Sequence, residues 1–256
     1  MSPARTATRR RATPATAEFE RIRVEPAYRK VAAALLERIT DRSISAGDRL
    51  PAETELARQF GVHRGTVREA LRELESNGVL KRERGSKLMM VTRPARVTVA
   101  AGISRALALH DVSYHDVWEA MTVLEPPIAA AAAREHEAAD LARLEQIVAR
   151  LEDQLDTAAA VEQSAEFFRA VGEATHNGVF MLAHEPLVQL LVPSLGVMID
   201  KVPQARRRIV EAQRRITTAI RERSAAQAGE WMGKHIRDFR RGFELAKIGL
   251  EHRIAD

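Results

Sequence analysis

The segment from Gly47 to Gly78 leaves the chain little conformational choice. Pro51 sets a backbone angle suited to a helix start, and Glu53 and Glu55 follow where the positive end of the helix dipole favours acid. Gly61 supplies a left-handed stop, His63 stands at the next cap, and a second helix is expected from Arg64 to Ser76, ended by Asn77-Gly78. Leu56 and Phe60 on the first helix, and Val67, Ala70, Leu71 and Leu74 on the second, give each one apolar stripe. Two such stripes must close on each other and on a third element. Upstream, Tyr28, Val31, Leu35 and Ile39 recur at helical spacing and provide it. Downstream, Val79–Arg82 and Leu88–Val91 read as two strands around Glu83-Arg84-Gly85-Ser86-Lys87. Three helices and a basic hairpin in about 65 residues describe a winged helix-turn-helix.

Charge agrees with that reading. The net charge is +5 over residues 26–93 and −3 over the 163 residues that follow, so a basic front suited to a polyanion precedes a slightly acidic body. Residues 1–24 show no apolar periodicity and place Arg5 and Arg9–Arg11 ahead of any acid. They are expected to form a disordered arm that adds salt-dependent affinity for phosphates.

Beyond a linker at 93–111, the pattern is helical throughout. Leu141, Leu144, Val148, Leu151 and Leu155 form one stripe; Val161, Ala165, Phe168 and Val171 a second. Ile209, Ile216 and Ile220 mark a third, and Trp231, His235, Phe239, Phe243, Ala246 and Leu250 the last. With aromatics at only 4% and no strand-like alternation, residues 112–250 are expected to form an all-α bundle. Pro126-Pro127 should kink or break its first helix. The fold class is therefore mainly α, a winged helix-turn-helix followed by a helical bundle.

Several functions are excluded by composition. The chain has no cysteine, which removes disulfide frameworks, cysteine zinc fingers, iron–sulfur ligation and thiol nucleophiles. The longest uncharged run, Pro186–Ile199, has 14 residues, short of the roughly 20 a membrane span needs. No signal peptide is visible, so a cytoplasmic protein without membrane association is expected. Gly229–His235 lacks the Ser/Thr and the spacing of a phosphate loop, and no Gly-x-Ser-x-Gly or His-Glu-x-x-His occurs, so no enzyme is expected.

The run from Gly47 through Leu74, continued by Asn77-Gly78-Val79-Leu80 and the wing, resembles the GntR family of bacterial transcription regulators. The resemblance implies that Arg64, Thr66, Arg68 and Gly85 contact DNA. The residues independently suit that role. Arg64 and Arg68 lie four apart and so on one face, and a guanidinium can take guanine O6 and N7 together. Arg84 beside Gly85 puts a cation at the wing tip. Two departures stand out: Thr54 occupies a position that is often a DNA-contacting arginine, and Gly65 one that is usually small and polar. Glu69 and Glu73 are expected as the solvated ion-pair partners of the arginines. A reader of this kind is expected to act as a homodimer on a palindromic duplex.

The all-α second half resembles the FadR-like branch, with Val117–Pro126 as the first effector helix, Phe167–Gly178 the middle signature and Trp231–Phe239 the last helix. Many members hold a divalent metal through one Asp and three His, beside an Arg that grips a carboxylate effector. Here those positions hold Ser164, Phe168, Gln213 and His235, with Met121 at the Arg position. One imidazole does not make a metal site, so neither metal nor cofactor is expected. His235 is read as a core histidine bonded to Gln213, and His176 and His184 as surface residues near turns. An apolar pocket at Met121, Phe168, Gln213 and His235 points to a hydrophobic effector such as a fatty-acyl chain acting on a repressor. The alternative is an effector-independent DNA-binding or nucleoid-organising protein.

Overall fold

A computed structural model describes residues 25–83, 85, 86, 88–153 and 156–254. The expected arm at 1–24 and the wing-tip Arg84 lie outside the described residues. The protein is mainly helical and divides into two compact units between Arg93 and Pro94.

In the first unit, α1 (Ala27–Thr40), α2 (Glu53–Phe60) and α3 (Arg64–Ser76) precede β1 (Leu80–Arg82) and β2 (Met89–Val91). The strands pair antiparallel, Leu80 opposite Val91 and Arg82 opposite Met89. Gly47 N–H donates to Val91 O and Leu50 N–H to Met89 O, both at 2.8 Å, which lays the stretch before α2 along the free edge of β2. That pairing holds Pro51 and Ala52 extended, so α2 starts at Glu53 rather than at Pro51. Gly61 closes α2 at φ 65°, a left-handed angle that glycine adopts without steric cost. Val31, Leu35, Leu56, Val67, Leu71 and Leu74 meet Leu80 and Val91 in one core.

The second unit runs through α4 (Arg96–Leu109), α5 (Tyr114–Glu135), α6 (Ala138–Asp153), α7 (Thr157–Glu173), α8 (Gly178–Lys201), α9 (Ala205–Arg221) and α10 (Ala225–Ala246). The connecting segment is thus itself helical. Periodicity does not reveal α4 because it is apolar on both sides: Ala100 is buried, while Val99, Ile103 and Leu109 are exposed. Ser104 ties it to α8, donating to Gln189 Oε1 at 3.2 Å. By length and composition α8 could cross a membrane, but Leu187, Val188, Leu191, Leu195 and Met198 are buried in the bundle, as in the core helix of a globular domain.

The two adjacent prolines do not interrupt α5, which continues through Pro126 and Pro127 to Glu135. A Ser113–Asp116 capping box and the Trp118 Nε1–H bond to Ile236 O (3.2 Å) anchor it before them, and an alanine run at 129–133, buried except at Ala130, favours helix after them. The backbone at Pro126 is also closely covered. A Cβ on Gly229 of α10 would stand 3.1 Å from Pro126 O, so the two helices approach there because glycine leaves the space.

Candidate nucleic-acid interface and effector cavity

Helix α3 begins with an imidazole in place of the usual hydroxyl or carboxamide cap. His63 Nδ1 accepts from Gly65 N–H at 3.1 Å, satisfying one of the unpaired donors of the first turn. A Cβ at Gly65 would lie 3.2 Å from that same nitrogen, so a larger residue there requires the His63 ring to shift by a few tenths of an ångström. From this cap, Val67 and Leu71 turn inward, and Arg64 and Arg68 emerge with 56% and 45% of their side chains exposed.

Their partner is not Glu69 or Glu73. Both guanidiniums converge on one carboxylate oxygen of α2: Arg64 Nε donates to Glu53 Oε2 at 3.1 Å, and Arg68 Nε and Nη2 donate to it at 3.2 and 3.1 Å. The two arginines hold the Glu53 carboxyl below the ordinary carboxylate range, Arg68 contributing most. Glu55 is engaged separately by Arg58 and Gln59. Thr54 is exposed on α2, Thr66 is half-buried in the first turn of α3, and Gly85 is exposed at φ 80°. An Arg49–Glu83 ion pair at 2.8 Å ties the wing base to the stretch before α2. The candidate interface therefore has Arg64, Thr66 and Arg68 on one helix, with Thr54 on its neighbour and Gly85 in the hairpin loop.

In the second unit, Met121, Phe168, Gln213 and His235 are all fully buried. Phe168 lies flat on the His235 imidazole, with centroids 5.6 Å apart and 5° between planes, and Phe239 closes on the other ring contact at 4.6 Å. Among the described residues, His235 Nε2 and both polar atoms of the Gln213 amide have no hydrogen-bond partner. The expected bond between them is thus not made; aromatic stacking, not the amide, orients the imidazole. Burial pushes the His235 pKa down to about 3, so the ring is neutral at physiological pH.

A small cavity of about 20 Å³, room for little more than one water, borders His235, Phe239, Met198, Ile209 and Leu245, with the Arg208–Asp238 ion pair (2.5 Å) on its wall. Of the four positions expected to form a pocket, only His235 lines it; Met121, Phe168 and Gln213 belong to the packing behind. Met198 lies over Gly242, where a Cβ would clash with its sulfur at 2.2 Å, so a flexible thioether borders the space.

These residues do not fit a divalent metal. Ser164 Oγ is already donating to Ala160 O at 2.8 Å, and Phe168 has no donor atom to offer beside His235. No group of three His, Asp or Glu gathers anywhere among the described residues. Elemental analysis of dialysed protein should find no stoichiometric metal, and a chelator should leave melting unchanged. One zinc or nickel per chain surviving dialysis would overturn that expectation.

Sequence reasoning misplaced His184. It lies inside α8, fully buried, with Nδ1 3.2 Å from the equally buried Glu125 Oε1. Gly172 of α7 makes this possible, since a Cβ there would sit 2.4 Å from His184 Nε2. His176 is exposed and meets Asp140 at 2.8 Å. Glu53, Arg208, Asp238 and Met198 were also missed, because each matters through a partner far along the chain.

Residues 27–88 match the bacterial regulatory proteins of the gntR family, and residues 116–238 match the FCD domain. The Uxu operon regulator of Haemophilus influenzae is 29% identical over 236 residues, 90% of this chain and 86% of that protein. The HTH-type transcriptional repressor NanR of Edwardsiella tarda is 27% identical over 188 residues, covering 70% of this chain and 72% of that one. Among solved structures, a Streptococcus agalactiae GntR protein aligns with a TM-score of 0.60 at 26% identity, over 84% of this chain and 99% of its own.

Proposed function

The chain belongs to the GntR family of bacterial DNA-binding transcription regulators and carries an FCD domain, and on that premise we propose that it is a repressor released from its operator by a largely apolar small molecule. Residues 25–92 read a palindromic operator as a homodimer in the bacterial cytoplasm, and residues 112–250 bind the effector. The observation that carries the effector reading is the cavity beside His235. Its walls are mainly apolar, its histidine is uncharged, and its one cation, the half-buried Arg208, is already paired with Asp238. The cavity itself thus offers no unpaired charge to a small carboxylate, and the larger open pocket that shares His235 and Arg208 with it is where Arg207 and Lys234 stand. Each buried methylene contributes about 0.8 kcal/mol, so a chain or ring system that enlarges the cavity by displacing the flexible Met198 side chain gains affinity without a salt bridge. Release requires the effector to favour a dimer geometry whose recognition helices no longer match the operator, because equal affinity for both states shifts nothing.

The test is titration of operator-bound protein with fatty acids, acyl-CoA thioesters and sterols, beside citrate, lactate and gluconate. Release by a lipid is the expected result. Release by the hydroxy acids alone refutes the apolar cavity, and no response to any of them favours the effector-independent reading.

A further inference from the structure

We infer that Glu53 is the positioning residue that gives this protein its sequence discrimination, by holding both recognition-helix arginines in a base-reading pose before DNA arrives. An exposed arginine is a long side chain with many rotamers, and near a duplex its default partner is the nearest phosphate, which carries no sequence information. Glu53 removes that default twice over. Its Oε2 accepts from the Nε of Arg64 and from the Nε–Nη2 edge of Arg68, so two guanidiniums from successive turns of α3 are pinned to one point on α2.

The edges used matter. A guanidinium has five N–H donors in a planar fork. Arg64 donates through Nε only, and Arg68 through Nε and one hydrogen of Nη2. Both keep the Nη1–Nη2 end free, and that end matches guanine O6 and N7. The Glu53 side chain is only 15% exposed and its carboxyl is held well ionised by the pair, so the anchor is rigid and charged at any physiological pH. A carboxylate on a DNA-facing surface would by itself repel phosphates. Its presence between two arginines therefore costs non-specific affinity and returns selectivity.

This inference rests on the DNA-binding reading, and the experiment separates the two. The full-length protein is used to select a duplex from a random pool, and binding to that duplex and to unselected random duplex is measured across salt concentrations for wild type, Glu53→Gln and Glu53→Asp. The Gln variant keeps shape but loses the charge. Its selected-to-random affinity ratio should fall about tenfold, the scale of one well-aligned bidentate contact. Its affinity for random duplex should hold or rise, with a steeper salt dependence as the freed arginines reach phosphates. The Asp variant keeps the charge one methylene short and should recover part of the ratio, which also covers the case that the Gln variant does not fold. An unchanged ratio in both variants overturns the inference, as does an equal gain on both duplexes, which would make Glu53 only a repulsive charge. A wild-type protein that selects no sequence refutes the DNA-reading function instead.

Discussion

Replacing Arg68 by alanine should cost about 1–3 kcal/mol at the selected duplex while changing random-duplex affinity little. Arg68 emerges from the second turn of α3, next to the buried Val67, and its free Nη1–Nη2 end is the group we propose to meet a base edge. The loss should be concentrated at one base-pair position per half-site, where the substituted protein tolerates any base. Arg84→Ala at the wing should behave differently, weakening all duplexes together and making the salt dependence shallower by about one unit, the signature of a phosphate contact. Competition binding against a library of single-position operator variants distinguishes the two. Equal loss of Arg68→Ala affinity on selected and random duplex would remove its base-reading role.

Acidification should destabilise the effector domain through His235. The folded ring is neutral until about pH 3 because burial opposes the charge, whereas the unfolded chain takes up a proton near 6.5. The stability tied to this depressed pKa is therefore complete above 6.5 and is lost as pH falls from there toward 3. Between pH 7.5 and pH 5 one such proton amounts to about 2 kcal/mol. Denaturant melts at those two pH values, compared between wild type and His235→Phe, isolate the contribution. The phenyl ring can keep the stacking on Phe168 and Phe239 without a titrating nitrogen. The variant should lose about 2 kcal/mol less than wild type on acidification. An identical pH dependence in both proteins would mean that His235 is reached by water or a proton in the folded state.

Much of this architecture is written locally in the chain. Three of the helix boundaries in the first unit depend on residues within a few positions of each other: Gly61 at its left-handed angle, His63 bonded to Gly65, Gly78 after α3. The apolar stripes of α3, α7 and α9 likewise appear in the sequence as 3.6-residue periods and in the structure as buried faces. The shared face of Arg64 and Arg68 was legible for the same reason, since a four-residue spacing puts them side by side whatever surrounds them.

What the sequence could not reveal is whatever depends on two elements meeting. α4 shows no stripe because one of its apolar faces rests on α8 and the other stays exposed, which erases the amphipathic period. Pro126 and Pro127 carry a local signal for a break, but the anchors on either side and the close packing of α10 at Gly229 outweigh it. His184 looks like a surface residue until Gly172, on another helix, is seen to leave the hole it fills. Glu53 is an ordinary first-turn acid until the angle between α2 and α3 brings it under Arg64 and Arg68. Backbone propensity, capping and periodicity act over a few residues and so survive in the string of letters. Burial, stacking and ion pairing act over a few ångströms between residues far apart in the chain, and only the folded packing decides which of them meet.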